Sequence, residues 1–122
     1  MRIMAADDSA SIRQMIAFSL RQANYDVIEA ENGRDAIRKL NGTTVDMLIT
    51  DLDMPEMGGM ELVRRVRAVP KYRSIPIIVL TTESDPSLKQ KIRKLGANGW
   101  ITKPFKPKQL ISITDKFLTQ VS

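Results

Sequence analysis

Met47-Leu48-Ile49-Thr50-Asp51-Leu52-Asp53-Met54-Pro55-Glu56-Met57-Gly58-Gly59 reads as a short buried strand that ends on an acid and runs into a loop marked by proline and glycine. The same grammar recurs on both sides of it. Upstream, Ile3-Met4-Ala5-Ala6 is closed by Asp7 and Asp8. Downstream, Ile77-Ile78-Val79-Leu80 is closed by Thr81, and Trp100-Ile101-Thr102 is followed by Lys103 and Pro104. Between these runs the apolar residues fall at helical spacing. Short apolar runs alternating with helices specify an α/β protein with a parallel sheet, and such sheets gather their ligand chemistry at the carboxyl ends of the strands.

The spacing predicts five βα units. Strand one spans Arg2 to Ala6, and Ser9 or Ser11 caps a helix whose inward positions are Ile12, Met15, Ile16, Leu20 and Ala23, with Asn24 at its left-handed end. Tyr25 to Ala30 gives strand two, Asn32-Gly33 a turn, and Ala36, Ile37 and Leu40 a short helix stopped at Asn41-Gly42. Strand three runs from Asp46 to Thr50 and delivers Asp51. Leu62, Val63 and Val66 mark a third helix ending before Pro70. After strand four (Ile77 to Leu80), Ser84 or Asp85 caps a helix with Pro86 in its first turn and Gly96 as its stop; Leu88, Ile92 and Leu95 face the core. Strand five is Gly99 to Thr102. The last helix starts near Pro107 and buries Leu110, Ile111, Ile113 or Thr114, Phe117 and Leu118. Right-handed crossovers make the sheet doubly wound.

Composition narrows the chemistry. The 122 residues carry no cysteine and no histidine, which excludes Ser-His and Cys-His nucleophile pairs, imidazole or thiolate metal sites, and an internal phosphohistidine. No segment has the length of a membrane span or the form of a signal peptide, so a cytoplasmic protein is expected. The net charge of +5 raises the question of nucleic acid. The basic residues cluster at Arg64 to Arg73, Lys89 to Lys94 and Lys106 to Lys108, with few aromatics between them and no nucleic-acid motif, so solvated helix faces are the simpler account.

Asp7, Asp8 and Asp51, gathered with the other strand ends at one edge of the sheet, suit Mg²⁺, which takes oxygen ligands; side by side without a cation they would repel one another. Capping of the first helix accounts for one of the adjacent aspartates but not for Asp51 on another strand. Asp51 is the candidate nucleophile, since a carboxylate can attack phosphorus to give an aspartyl phosphate. Thr81 offers a hydroxyl donor and Lys103 a compensating ammonium. The Lys103-Pro104 bond is open to either isomer, with trans the commoner and cis the one that would aim the lysine back at the acids. Trp100, the single tryptophan, reads equally as packing or as a functional side chain.

Four ordered motifs, Asp7-Asp8-Ser9, Thr50 to Gly59, Leu80-Thr81-Thr82-Glu83 and Gly96 to Phe105, resemble the receiver domains of two-component response regulators, in particular the single-domain CheY-like chemotaxis regulators. The resemblance implies one receiver domain over residues 1–122 with no output domain, a flavodoxin-like fold and strand order 2-1-3-4-5. It implies that Asp51 takes a phosphoryl group from a CheA-like sensor histidine kinase. Mg²⁺ would be held by Asp8, Asp51 and the Asp53 backbone carbonyl, with Asp7 acting largely through water. Thr81 would swing toward the phosphoryl group, Lys103 would pair with it, and Trp100 would hold the switch position. A monomer is expected that remodels the face of the fourth helix, fifth strand and fifth helix for an acidic partner, such as a flagellar motor switch protein, with a phosphatase as a further partner. Neither nucleic acid nor membrane is expected.

Asp51-Leu52-Asp53 also resembles the nucleophile motif of haloacid-dehalogenase phosphohydrolases, but there that motif comes first in the chain and the acidic pair last. A flavin domain of the same topology would repel its phosphate at Asp7 and Asp8. A degenerate receiver acting only as an adaptor, and a single-domain regulator outside chemotaxis, complete the alternatives.

Overall fold

In the computed structural model, which describes residues 1–118, the apolar alternation along each strand sorts the helices onto two faces of one sheet. The last four residues of the expected 1–122 domain lie outside the described residues. The elements are β1 (Arg2–Ala6), α1 (Ala10–Gln22), β2 (Asp26–Ala30), α2 (Gly33–Leu40), β3 (Met47–Asp51), α3 (Gly59–Arg67), a 3₁₀ turn (Pro70–Tyr72), β4 (Ile77–Thr81), α4 (Pro86–Leu95), β5 (Gly99–Thr102) and α5 (Pro107–Leu118). All strands are parallel and the order is β2-β1-β3-β4-β5. Ile3, Ala5, Met47, Ile49, Ile78 and Leu80 face α1 and α5, packing with Ile16, Leu20, Leu110 and Leu118. Met4, Ala6, Leu48, Ile77 and Val79 face the other way, onto Ala36, Leu40, Leu62, Val66 and Ile92. Strands covered on both faces read as unbroken apolar runs, which is why β3 and β4 are buried throughout.

Several boundaries resolve choices that the sequence left open. Ser9 caps α1, accepting from the Ile12 amide, and Asp85 caps α4. Asn24 and Gly96 take positive φ, as expected. Thr114, rather than Ile113, is the buried residue on α5, and its hydroxyl donates to the Leu110 carbonyl at 2.8 Å. Asn32-Gly33 is not a free turn but the cap and first residue of α2, with the Asn32 side chain accepting from the Asp35 amide at 2.8 Å. Asp51 and Thr81 belong to their strands as last residues, so β3 and β4 each end one residue later than the apolar runs suggest.

Two sets of long cationic side chains finish the frame. At the outer edge of β2, Arg21 donates to the Val27 carbonyl at 3.1 Å and Lys39 to the Glu29 carbonyl at 2.6 Å, blunting an edge that would otherwise invite another strand. Opposite the strand carboxyl ends, Arg67 donates to the carbonyls of Gly96 and Tyr72 and to the Asn98 side chain, all within 2.9 Å. Burial among these neutral acceptors pulls the Arg67 pKa below its usual value and ties α3 to the end of α4.

Candidate functional site

Parallel register places the acids side by side. Ala6 pairs with Thr50 across β1 and β3, so Asp7, the next residue, emerges beside Asp51. Asp7 is fully buried, Asp8 is exposed, and Asp51 is 7% exposed. One carboxylate oxygen from each lies within 4.8 Å of the others. Two oxygens of Asp7 already have protein partners: Oδ1 accepts from the Ser9 amide at 2.9 Å and Oδ2 from Lys103 at 3.1 Å. The Lys103 ammonium also sits 3.1 Å from Asp51 Oδ1. It reaches there from a residue whose amide is bonded to the Thr81 carbonyl at 2.7 Å and whose bond to Pro104 is cis.

Burial raises the Asp51 pKa above the ordinary carboxylate value, and the Asp7 charge adds to the shift. The hydrogen bond and charge of Lys103 oppose it only in part, while Asp8 reinforces it. Burial would depress Lys103, but its bonds to Asp7 and Asp51 and their charges win and raise its pKa. A carboxyl with a raised folded-state pKa binds its proton more tightly in the folded chain, so its contribution to stability is greatest below the unfolded pKa and falls as pH rises through the folded value. In EDTA, therefore, Asp51→Asn is expected to gain stability over the parent as pH rises above about 4. Urea midpoints at several pH values read this, and a gap that narrows with rising pH contradicts it.

The donor set is wholly oxygen, from carboxylates, and so fits a hard divalent cation of the Mg²⁺ type better than a soft one. The structure brings Asp7, Asp8, Asp51 and Lys103 together. Thr81 stands at the end of β4, where its hydroxyl accepts from the Glu83 amide at 2.9 Å, and the Asp53 side chain is exposed on the following loop. Trp100 lies apart from the acids, half-buried on β5, with Lys89 and Arg93 of α4 over its ring at 5.0 and 5.3 Å. Sequence reasoning missed Arg13. It donates to the Asp7 carbonyl at 2.7 Å and pairs with Glu29 at 3.4 Å, a contact foreshadowed only by an arginine one turn into an otherwise apolar helix face.

The model of the response regulator receiver domain matches residues 3–115. The chain belongs to the response regulator receiver family. Among its relatives, the chemotaxis protein CheY1 of Helicobacter pylori is 42% identical over 90% of both chains. A CheY homolog of Campylobacter jejuni is 43% identical over 90% of this chain and 86% of its own. The solved structure of Vibrio cholerae chemotaxis protein CheY4 superposes with a TM-score of 0.92 at 42% identity, covering 96% of this chain and 98% of that one. As a receiver, the protein is a signalling phosphoacceptor served by a histidine kinase rather than a turnover enzyme, which sets aside the phosphohydrolase and flavin alternatives. No helix among the described residues is long and apolar enough to cross a membrane.

Proposed function

We propose that Asp51 is the phosphoacceptor of a cytoplasmic chemotaxis relay and that the receiver works as a monomer. The observation that carries this is the Lys103 ammonium lying 3.1 Å from carboxylate oxygens of both Asp7 and Asp51. A carboxylate oxygen of Asp51 attacks phosphorus of a kinase phosphohistidine. The P–N bond breaks, its electron pair returns to the imidazole, and that nitrogen takes a proton from solvent. Asp8, Asp51 and the Asp53 carbonyl would hold Mg²⁺, with Asp7 acting through water; the ion would supply positive charge to the phosphoryl oxygens. Lys103 neutralises a further oxygen, and Thr81 donates its hydroxyl. Hydrolysis by water later returns Asp51 and releases phosphate.

Trp100 is the switch residue in this reading, and it transmits to the α4–β5–α5 face. Arg93, Trp100, Ile113, Lys116 and Phe117 line a groove of about 180 Å³ there, and its cations suit an acidic partner segment such as that of a flagellar motor switch protein. A CheA-like kinase and a phosphatase are the other partners. The chemotaxis assignment draws on the relatives' names and the match along nearly their whole length. Acetyl phosphate with Mg²⁺ should add one phosphoryl group by intact mass, and EDTA or Asp51→Asn should abolish it. Persistent full labelling of Asp51→Asn overturns the assignment.

A further inference from the structure

Asn32 and Gly33 open α2, yet they grip the loop that follows β3. The Gly33 amide donates to the Met57 carbonyl at 3.2 Å, and the Asn32 side-chain amide donates to Glu56 at 3.2 Å. Gly33 approaches so closely that a Cβ there would lie 2.6 Å from the Met57 carbonyl oxygen and 2.7 Å from its Cβ and Cγ. The gripped segment is conformationally demanding. Glu56 holds φ at 67°, which non-glycine residues adopt at a cost and keep only when their surroundings over-determine it. The Met57 amide turns back on the Pro55 carbonyl at 2.7 Å, and the Met57 side chain is buried in the core beneath α2 and α3. At the other end of the excursion, the Gly59 amide closes onto the Leu52 carbonyl at 2.8 Å. The loop is thus fixed at its neck by its own backbone and at its tip by α2.

The geometry points to Gly33 as a positioning residue for the phosphoryl site: through Met57 it fixes the loop that carries Asp53, whose carbonyl is assigned to the metal in the proposal above and on which this inference rests. A side chain at position 33 forces the Met57 backbone away, and the displacement passes along the loop toward Asp53. Outer-shell partners of metal ligands commonly set metal affinity by about 10–100-fold, and Gly33, which reaches Asp53 only through Met57 and the loop, belongs at the low end of that range. Within a helix, Gly→Ala by itself favours folding, so a role confined to α2 predicts unchanged metal binding and equal or greater stability.

The test compares the parent, Gly33→Ala and Asn32→Ser. Serine keeps a capping hydroxyl but is too short to hold Glu56. Gly33→Ala should raise the Mg²⁺ dissociation constant, read from amide chemical shifts, by about tenfold. The Mg²⁺ concentration for half-maximal labelling by acetyl phosphate should rise in step, with the rate at saturating Mg²⁺ within about threefold of the parent's. Asn32→Ser should weaken Mg²⁺ by about threefold, a lesser loss of the same kind. An unchanged dissociation constant in folded Gly33→Ala overturns the inference. If that variant does not fold, an unchanged constant in Asn32→Ser does so. A parent protein that binds Mg²⁺ but never labels defeats the phosphoacceptor reading instead, whatever the variants do.

Discussion

Lys103→Met is expected to slow phosphorylation of Asp51 by acetyl phosphate by about 10²–10³-fold, the scale on which loss of one preorganised donor to developing charge is felt. Methionine keeps most of the length and the apolar stem but removes the ammonium that stands 3.1 Å from Asp7 and from Asp51. The side chain is only 14% exposed, so water is a poor substitute at that point. Before any phosphate arrives, two buried carboxylates lose their shared cation, and the upward push on the Asp51 pKa goes unopposed. During transfer, the oxygens leaving the donor's control lose the positive charge that would receive them. Lys103→Arg should not restore the rate, because a planar fork cannot occupy the place of a compact ammonium held between two acids. Initial labelling rates by intact mass at fixed Mg²⁺ decide the matter; a methionine variant within about fivefold of the parent removes Lys103 from the proposed chemistry.

Gly59→Ala is expected to cost about 3 kcal/mol of stability or more, beyond the usual range for a single added methyl. The Cβ would stand 2.3 Å from the Asp51 carbonyl oxygen and 3.0 Å from the Leu52 Cα. Neither obstacle is a flexible side-chain end. Both belong to the terminus of β3, where the Leu52 amide is bonded to the Leu80 carbonyl at 2.9 Å. Relief therefore has to come from moving α3 off the sheet or bending the strand end that presents Asp51. Gly42→Ala is the matched control, since a Cβ there meets nothing within 4 Å. Urea unfolding of the two variants against the parent makes the measurement; equal midpoints would show that the close approach at Gly59 is absorbed without strain.

The strand ends were legible in the sequence because each required property is local. An apolar run needs only its own residues to be recognised, and the acid, threonine or lysine that closes it follows directly. Strand order was a different matter. Nothing within Ile3 to Ala6 or Met47 to Thr50 says that those strands are neighbours, and the order came from resemblance before the sheet displayed it. Contacts between distant segments were harder still. Arg13 meets the Asp7 carbonyl, Gly33 meets Met57, and Arg67 meets Gly96 across 29 residues. Such pairs depend on how helices lie on the sheet, and a glycine or arginine in a helical pattern carries no mark of the partner it will find. The resemblance implied different roles for Asp7 and Asp8, but the pair itself gave no sign of their different surroundings. Only burial, with Asp7 enclosed and Asp8 open, separates them.

Trp100 under its two cations gives the molecule one more property. The chain contains a single indole and two tyrosines, so emission excited at wavelengths longer than tyrosine absorbs is an unmixed signal from the seam between α4 and β5. Lys89 and Arg93 set the polarity that the excited ring senses. Any event that lifts α4, turns the ring, or draws those cations toward an acidic partner changes that polarity. The receiver therefore carries its own optical gauge of the α4–β5 seam, with no label to attach and no second indole to subtract.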